Sequence, residues 1–395
     1  MTVLHVLPSI DPTHGGTVEC ARHISAAMAR LGVSTEVLSL ETPQPEILQG
    51  WAVKVHSLGR TLSYYKYSAG LRSWLERNHA NYDAVIVHGV WRYASVGVWR
   101  ALRNKSTPYF MFTHGMLDPW FEQAYPLKHI KKTVFWHMFE HRVLRDARAV
   151  LFTCEAERVL ARESFQPFHC REQVVGMGTG GPPQDAVGQR EDFLRQFPHL
   201  RGKRIILFIS RIHRKKGCDL LIRAFGKIAP ADPRLHLVMA GPDEEDWQGE
   251  LRRIAAELRI TDRITWAGYL NTKWGAFRAA EVFALTSHSE NYGQAVVEAM
   301  ACEIPVLITN KVNIWQEIAE DDAGLIANDD LDGAIGLLER WLSLSPNRRK
   351  ELGANAARSY RDRFEMDGFT RRFIDYLAHE TSTEAEVATR VAIHG

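Results

Sequence analysis

The chain has 395 residues, of which 45% are hydrophobic and 24% charged, and its formal net charge is +2. This is the composition of an ordinary globular protein. The near-neutral charge argues against a nucleic-acid partner, which would call for a strongly basic surface. A single hydrophobic core rarely grows beyond about 250–300 residues, so the length predicts two domains.

The thiols and the N-terminus suggest where the protein resides. Five cysteines are scattered without a C-x-x-C pair, which is typical of reduced thiols and not of disulfides or a zinc site. The start MTVLHVLPSI lacks the features of a signal peptide, and no apolar run approaches the roughly 20 residues of a membrane helix. We expect a cytoplasmic protein, with the inner face of the membrane as the alternative.

The first half of the chain alternates between strand and helix patterns. The strand segments are TVLHVLP, VSTEVLSL, AVKVHSL, DAVIVHG, PYFMFTHG and RAVLFT. Helical patterns lie in VECARHISAAMARLG and near 67–78, 92–104, 127–145 and 155–165. Short apolar strands that are each followed by a helix predict a parallel sheet covered on both faces.

The second half repeats this alternation. Its strands are KRIILFISR, LHLVMAG, RITWAGYL, VFALTS and IPVLIT, and its helices lie near 217–229, 246–259, 273–280, 293–302 and 314–320. The repetition predicts an α/β protein with two doubly wound, Rossmann-like domains.

The domain boundaries follow from composition. The Gly- and Pro-rich stretch at 176–192 reads as a linker, so we assign residues 1–185 to the first domain and 186–364 to the second. Residues 365–395 would form a C-terminal helix, which could cross back to the first domain, and a loose tail.

Candidate ligand-binding residues come directly after strands, where ligands bind in open parallel sheets. Gly15 and Gly16 follow the first strand and precede a helix, so backbone N–H groups could face a phosphate or simply form a turn. Arg211 and Lys216 follow the strand RIILFIS. Both could bind one diphosphate, Arg as a fork and Lys as a point charge, or both could belong to a solvated basic loop.

The stretch SHSENYGQAVVEAMAC carries two carboxylates. Glu290 precedes a helix start at 291–294, and Glu298 lies within its apolar face. A buried carboxylate requires a partner. Glu298 could accept hydrogen bonds from sugar hydroxyls or pair with a neighbouring cation, and Glu290 could bind a ligand or cap the helix.

These motifs resemble those of family 4 retaining glycosyltransferases, which have two Rossmann-like domains facing a central cleft (the GT-B fold). The resemblance rests on SENYGQAVVEAMACEIPVL, on Arg211 with Lys216-Gly217, and on Gly15-Gly16, in the expected order along nearly the whole chain.

The resemblance implies a role for each matching residue. Arg211 and Lys216 would bind the diphosphate and stabilise the leaving group, and Glu298 would accept from the ribose. Glu290 would hold the sugar and distal phosphate together with the backbone N–H groups at the helix start. Gly15 and Gly16 would approach the phosphates. The remaining implied donor contacts are the base-binding Tyr269 and Leu270 and the helix-start residues Asn291, Tyr292, Gly293 and Gln294.

Three residues of the first half are further candidates. His114, at the end of the strand in FTHGMLDPW, matches a family histidine that contacts the donor sugar near the reacting carbon. His88 ends the preceding strand and could contact the acceptor. Asp118 could do the same or be only a turn residue before Pro119.

No metal or other cofactor is expected. No D-x-D motif follows a strand, as would hold Mg²⁺ on a diphosphate. His137 and His141 are spaced i, i+4 but lack further zinc ligands. Fixed cations and helix N–H groups can perform the metal's electrostatic role.

The segment KHIKKTVFWHMFEHRVLR, residues 128–145, combines helically spaced apolar residues with five Lys and Arg side chains. It could contact an anionic membrane peripherally or pack on its own sheet.

The expected function is therefore a retaining, metal-independent hexosyltransferase that uses a UDP-sugar and acts on a glycan or lipid-linked acceptor in cell-surface polysaccharide synthesis. Two alternatives remain open: a UDP-sugar 2-epimerase of the same architecture, and a non-catalytic module that binds sugar nucleotides.

Overall fold

The computed structural model describes residues 1–120, 122, 125–243 and 246–394, with the backbone alone at residue 14 and at 383–394. It divides into two compact units. Unit 1 comprises Met1–Gly178 and the segment from Met366 onward, and unit 2 comprises Thr179–Glu365. The predicted boundaries lie at 185/186 and 364/365.

The described part of unit 1 contains a seven-stranded sheet in the order β3-β2-β1-β4-β5-β6-β7. Every pairing is parallel, as predicted. The seventh strand was not predicted, because three half-buried residues of mixed polarity give no readable periodicity. The strands are β1 Thr2–Leu7, β2 Ser34–Ser39, β3 Lys54–Ser57, β4 Ala84–His88, β5 Tyr109–Phe112, β6 Ala149–Phe152 and β7 Glu172–Val174.

Helices cover both faces of this sheet and include the last helix of the chain. Phe369 and Phe373 of that helix pack against Phe110 and Phe112 of β5. The tail expected at the end of residues 365–395 is helical instead, since the last helix continues to His394 through a segment rich in Ala and Glu, both strong helix formers. The helices are Gly16–Arg30, Pro45–Gln49, Gly70–Asn78, Tyr93–Leu102, Pro126–Phe135, the π-helix Trp136–Glu140, His141–Asp146, Glu155–Ser164 and Met366–His394.

The described part of unit 2 contains a six-stranded parallel sheet in the order β10-β9-β8-β11-β12-β13. Strand β13 was not predicted, because it is a short, half-buried edge strand. The strands are β8 Arg204–Ile209, β9 Leu235–Ala240, β10 Ile264–Gly268, β11 Val282–Leu285, β12 Val306–Thr309 and β13 Gly324–Ala327.

The five helices predicted for the second half match observed helices of unit 2, and the linker differs. Residues 186–192, expected to be part of the linker, form a helix, because the side chain of Asp185 accepts a hydrogen bond from Gly188 N and caps it. The helices are Ala186–Gln196, Cys218–Ile228, Gln248–Glu257, Trp274–Ala279, Gln294–Ala301, Trp315–Glu320, Leu331–Ser343, Pro346–Ser359 and the π-helix Tyr360–Phe364.

Each sheet has a topological switch point. There the chain, after adding strands on one side of the first strand, returns and adds the remaining strands on its other side. It lies between β1 and β4 in unit 1 and between β8 and β11 in unit 2. The crevice beyond the carboxyl ends of such strands is where doubly wound sheets bind ligands. Within the described part of the chain, each helix is too short or too polar to span a bilayer.

Candidate functional site

The switch point of unit 2 brings together Lys216, from the loop after β8, and Glu290, from the loop after β11. Lys216 Nζ donates a hydrogen bond to Glu290 Oε2 in a mostly buried ion pair. Residues 74 positions apart in sequence therefore meet at one edge of the sheet.

Gly217 holds this loop in place. Its backbone is left-handed, with φ of 60°, and a Cβ here would lie 1.9 Å from the carbonyl oxygen of Thr286. The hydroxyl of Thr286 donates to Gly217 O at 2.7 Å, and His288 N donates to Lys215 O at 2.8 Å. The Lys-Gly pair is thus required by the close approach of two loops.

The surrounding cations govern the ionisation of Glu290. Burial by itself raises the pKa of this carboxyl, but Lys216, assisted by Lys215 and Arg211, outweighs it and holds the pKa below its usual value. Glu290 is therefore ionised at neutral pH. Arg211 is exposed and lies close enough to Glu290 to act on its charge.

Glu298 is almost wholly buried in the helix Gln294–Ala301, and Lys273 Nζ donates to its Oε1 at 2.6 Å. Burial raises the pKa of Glu298 despite the opposing effect of Lys273. The alternative in which a neighbouring cation pairs with this carboxylate is therefore realised. Sequence reasoning did not find Lys273; its position shortly after the strand segment RITWAGYL was the available signal.

Hydrogen bonds within unit 2 position the helix start at 291–294. Glu290 N donates to Lys311 O at 2.9 Å, and Asn313 N donates to Glu290 O at 3.0 Å. Tyr292 is buried, and its hydroxyl lies 3.3 Å from Thr179 Oγ1. Of the predicted helix-start contacts, Tyr292 thus uses its side chain for packing, and Gly293 with φ of 72° turns the chain into the helix.

The predicted base contacts lie elsewhere in the sheet. Tyr269 and Leu270 follow β10, an edge strand separated from β8 by β9, and Tyr269 is 75% exposed. The structure does not join these two residues to the Lys216–Glu290 pair by any contact within the described residues.

At the switch point of unit 1, three histidines form a hydrogen-bonded chain. His5 Nδ1 lies 2.9 Å from His88 Nε2, and His88 Nδ1 lies 2.9 Å from His114 Nε2. The rings of His88 and His114 are stacked with centroids 5.2 Å apart. Two of these residues were predicted; His5, within the apolar strand TVLHVLP, was missed.

All three imidazoles are neutral at physiological pH. Burial lowers the pKa of His5 and of His114 to about 3, and it lowers the pKa of His88 well below its usual value. Among the described residues, His5 Nε2 has no hydrogen-bond partner. A buried N–H without an acceptor is rarer than an unused lone pair, which favours the Nδ1–H tautomer along the chain and leaves His114 Nδ1–H as a donor.

The remaining predicted residues of unit 1 are near the ends of strands. Gly15 has φ of 83° and begins the helix Gly16–Arg30, and a Cβ at either glycine would meet nothing within 4 Å. Asp118 Oδ1 accepts from Trp120 N at 2.8 Å, the turn arrangement that was the alternative to acceptor binding.

A pocket of about 300 Å³ lies at the same switch point. Leu7 and His88 line it from the ends of β1 and β4, and Trp91 lines it from the loop after β4. Its other lining residues include three cations that sequence reasoning did not assign, Lys66, Arg92 and Lys132. Of these, only Lys132 lay in a segment the sequence analysis had singled out.

The arrangement in unit 2 suits an anion that carries hydroxyl groups. Lys216, the ionised Glu290 and a helix start lie together in one crevice, and Arg211 acts on the charge of Glu290. Within the described ranges, no group of three or more His, Cys, Asp or Glu side chains is placed to hold a metal ion.

Comparison with known families assigns both halves of the chain. Residues 15–178 match the family model described as "Glycosyl transferase 4-like domain", and residues 189–359 match "Glycosyl transferases group 1". A D-inositol 3-phosphate glycosyltransferase of Thermomonospora curvata is 26% identical over 87% of this chain and 85% of that protein. Mannosylfructose-phosphate synthase of Agrobacterium fabrum is 29% identical over 45% of this chain and 41% of that protein.

Solved structures share the fold. HepE of Anabaena, in complex with UDP, superposes with a TM-score of 0.77 at 16% identity, covering 96% of this chain and all of that one. Sucrose-phosphate synthase of Thermosynechococcus elongatus superposes with a TM-score of 0.74 at 18% identity, over 97% and 99% of the two chains.

Proposed function

Because this chain belongs to the family 4 glycosyltransferases of the GT-B fold, we propose that it moves a hexose from a UDP-sugar to a glycan or lipid-linked acceptor. The transfer proceeds with retention at the anomeric carbon and without a metal ion, in the synthesis of cell-surface polysaccharide. Unit 2 binds the donor, and unit 1 binds the acceptor.

One observation carries this proposal, namely the Lys216–Glu290 pair with Arg211 beside it at the switch point of unit 2. A diphosphate bound there would meet two cations, and Glu298 would accept from the ribose. The choice of UDP is supported by HepE, which is described in complexes with UDP and with UDP-glucose.

The chemistry follows from where charge develops. As the bond between the sugar and the phosphate breaks, positive charge builds on the sugar ring and negative charge on the diphosphate. Arg211 and Lys216 stabilise that negative charge most strongly in the transition state, which is what accelerates the step. The departing phosphate oxygen accepts the proton of the acceptor hydroxyl as the new glycosidic bond forms on the same face.

The direct test is an assay of the full chain with UDP-glucose and a panel of acceptors, with and without EDTA. We expect product with the anomeric configuration of the donor, seen by NMR, and the same rate in EDTA. An inverted product would contradict retention, and a rate restored only by Mg²⁺ would contradict metal independence.

The two alternatives are separated by omitting the acceptor. A 2-epimerase would convert UDP-GlcNAc into a new free sugar, whereas the transferase would not. A non-catalytic module would bind UDP-sugars with no turnover for any acceptor.

We also propose that unit 1 contacts an anionic membrane through an apolar stripe formed by Leu127, Ile130, Val134 and Met138. These side chains are 48–76% exposed. The helix Pro126–Phe135 carries Leu127, Ile130 and Val134. Its first turn contains no acidic residue, and basic residues lie along its length. Apolar insertion together with basic residues is the usual basis of interfacial binding.

Sedimentation with vesicles tests the stripe. The double variant Ile130→Gln/Val134→Gln should lose binding to vesicles containing phosphatidylglycerol. The matched control is Val187→Gln, which removes a 77% exposed valine of unit 2 and should bind as the wild type does. Equal binding of both variants would contradict the membrane proposal.

A further inference from the structure

The turn that carries His114 has an unfavourable backbone conformation. His114 and Gly115 both have positive φ, 51° and 72°, and Thr113 O accepts from Met116 N at 3.1 Å to close a turn around these two residues. Glycine adopts positive φ readily, but a residue with a Cβ does so only at a cost. Strained backbone of this kind persists where neighbouring groups hold it, and it is concentrated at functional sites.

Glu157 is hydrogen-bonded to both sides of this turn. Its Oε1 accepts from Thr113 Oγ1 at 2.7 Å and from Gly115 N at 2.6 Å. The carboxylate is therefore bonded to the residue before His114 and to the residue after it. Rotation of the His114 backbone out of the left-handed region would move these two donors relative to each other and break at least one of the bonds.

The second oxygen of Glu157 is bonded to the end of the next strand. Oε2 accepts from Thr153 N at 2.7 Å and from Thr153 Oγ1 at 2.6 Å. Thr153 directly follows β6, and Thr113 directly follows β5. One side chain, from the first turn of the helix Glu155–Ser164, thus joins the carboxyl ends of two neighbouring strands.

The bonding pattern requires a carboxylate. Glu157 is only 4% exposed, and its four donors, two backbone N–H groups and two threonine hydroxyls, are uncharged. A buried carboxylate is costly unless its oxygens are hydrogen-bonded. Glutamine has one acceptor oxygen and an NH2 group that donates, so it would place a donor against two of the four donors.

Helix capping accounts for only part of these bonds. Glu157 is the third residue of its helix, and a glutamate at this position commonly accepts from a backbone N–H at the helix start. The bond from Thr153 N is a cap of this kind. The two bonds to Oε1 do not involve the helix backbone, and they connect the helix to the turn at His114.

We propose that Glu157 is a positioning residue, which fixes the turn at His114 and thereby the direction in which the imidazole donates. The inference rests on the proposed transferase function, in which His114 would contact the sugar being transferred. In the tautomer that the histidine chain favours, Nδ1–H of His114 is the donor left for that contact. Misplacing such a group by about 1 Å costs on the order of a hundredfold in rate, so the turn is held before the substrates bind.

The central test is a double-mutant cycle on the full chain, with kcat measured for transfer from a UDP-sugar. Glu157→Gln should lower kcat about tenfold to a hundredfold and leave the Kd of UDP unchanged, because the nucleotide binds to unit 2. In the His114→Ala background, Glu157→Gln should cause no further loss, since Glu157 acts through His114. Equal losses in the two backgrounds, or an unchanged kcat in either single variant, would overturn the inference.

Glu380→Gln is the matched control for loss of a buried carboxylate in unit 1. Glu380 is 3% exposed and pairs with Arg148 and Arg171, which precede β6 and β7 at the opposite edge of the sheet. This variant should lower the melting temperature and keep the kcat of the wild type. A loss of kcat as large as that of Glu157→Gln would attribute both losses to destabilisation and overturn the inference.

Thr113→Val keeps the cycle testable if Glu157→Gln does not fold. It removes one donor to Oε1 and preserves the shape of the threonine side chain. We expect a smaller loss of kcat than in Glu157→Gln, and again no further loss in the His114→Ala background. Equal losses in the two backgrounds would overturn the inference here as well.

Nitrogen-15 NMR of the histidine rings tests the position of His114 without an activity assay. Burial lowers the pKa of His114 to about 3, so its ring is neutral at pH 5.0 in the wild type. Glu157→Gln should release the ring toward solvent and raise that pKa, so that the ring signals, assigned by their loss in His114→Ala, shift between pH 7.5 and pH 5.0. Signals that behave as in the wild type would overturn the inference. A wild type that transfers no sugar would instead refute the proposed function, and the NMR result would still decide whether Glu157 positions His114.

Discussion

The charged side chains at the switch points of the two units have different kinds of partner. In unit 2, Lys216 and Lys273 each pair with a carboxylate. In unit 1, Arg92 and Lys132 lie on aromatic rings beside three neutral histidines. One topology therefore produces two electrostatic environments, according to the side chains that follow the central strands.

This difference indicates what each crevice can do. A lysine paired with an ionised carboxylate stays charged and positioned before any ligand arrives, which suits stabilisation of a developing charge. Neutral histidines contribute directional hydrogen bonds without adding charge, which suits recognition of hydroxyl groups.

The largest expected effect is at the paired cation of unit 2. Lys216→Ala or Arg211→Ala should reduce turnover about 100- to 1,000-fold, as loss of one charge-stabilising donor does. Steady-state kinetics measure this, with Lys227→Ala, an exposed lysine of the following helix, as the control. Near-normal turnover in Lys216→Ala would remove that residue from catalysis.

The glycine beside that lysine provides the next test. Gly217→Ala places a Cβ 1.9 Å from Thr286 O, so the loops must separate and Lys216 must move. We expect at least a tenfold loss of kcat, because misplacing a catalytic group by about 1 Å costs on the order of a hundredfold.

Gly202→Ala is the matched control for that substitution. Gly202 has a similar φ of 76°, but a Cβ there meets nothing within 4 Å. The Gly202→Ala variant should therefore have only the backbone strain of about 1 kcal/mol. Its kcat should equal that of the wild type. Equal kcat in the two variants would show that the close approach to Thr286 does not position Lys216.

A smaller effect is expected at the ribose position. Glu298→Gln removes the charge of the carboxylate, keeps its shape, and should weaken UDP binding about tenfold, measured by calorimetry. Glu339→Gln, at an exposed position of the helix Leu331–Ser343, should not. Unchanged affinity in Glu298→Gln would exclude a contact with the nucleotide.

The neutral histidines of unit 1 predict a pH effect on stability. The folded pKa of His5 is about 3, below an unfolded value near 6.5, so the unfolded state binds more protons between these values. The contribution of the neutral His5 to the free energy of unfolding is therefore complete above pH 6.5, and it decreases as the pH drops. At pH 5 one such histidine costs about 2 kcal/mol.

The measurement is the change in melting temperature between pH 7.5 and pH 5.0. The melting temperature of the wild type should fall more between these pH values than that of His5→Phe, whatever the difference in melting temperature between the two proteins at pH 7.5. An equal loss would show that His5 is not kept neutral by folding.

Much of the fold could be predicted from the sequence because its strongest signal is local. Continuous apolar strands such as LHLVMA, each followed by a helix, specified parallel sheets. The missed elements, β7 and β13, are short edge strands, and their pairing depends on neighbours far along the chain.

The site was predictable only where motif and position coincide. Lys216, Gly217 and Glu290 could be found because each follows a central strand. Lys273 and His5 were missed because neither belongs to a recognised motif, and their partners lie 25 and 83 positions away. The three cations of the unit 1 pocket likewise come from segments with no common pattern.

A crystal structure of the protein with UDP tests the central claim most directly, because it measures the distances from the diphosphate and ribose to the switch point of unit 2. We predict diphosphate oxygens within about 3 Å of Arg211 and Lys216 and a ribose hydroxyl on Glu298. A nucleotide bound elsewhere, or a diphosphate that touches neither cation, would contradict the account.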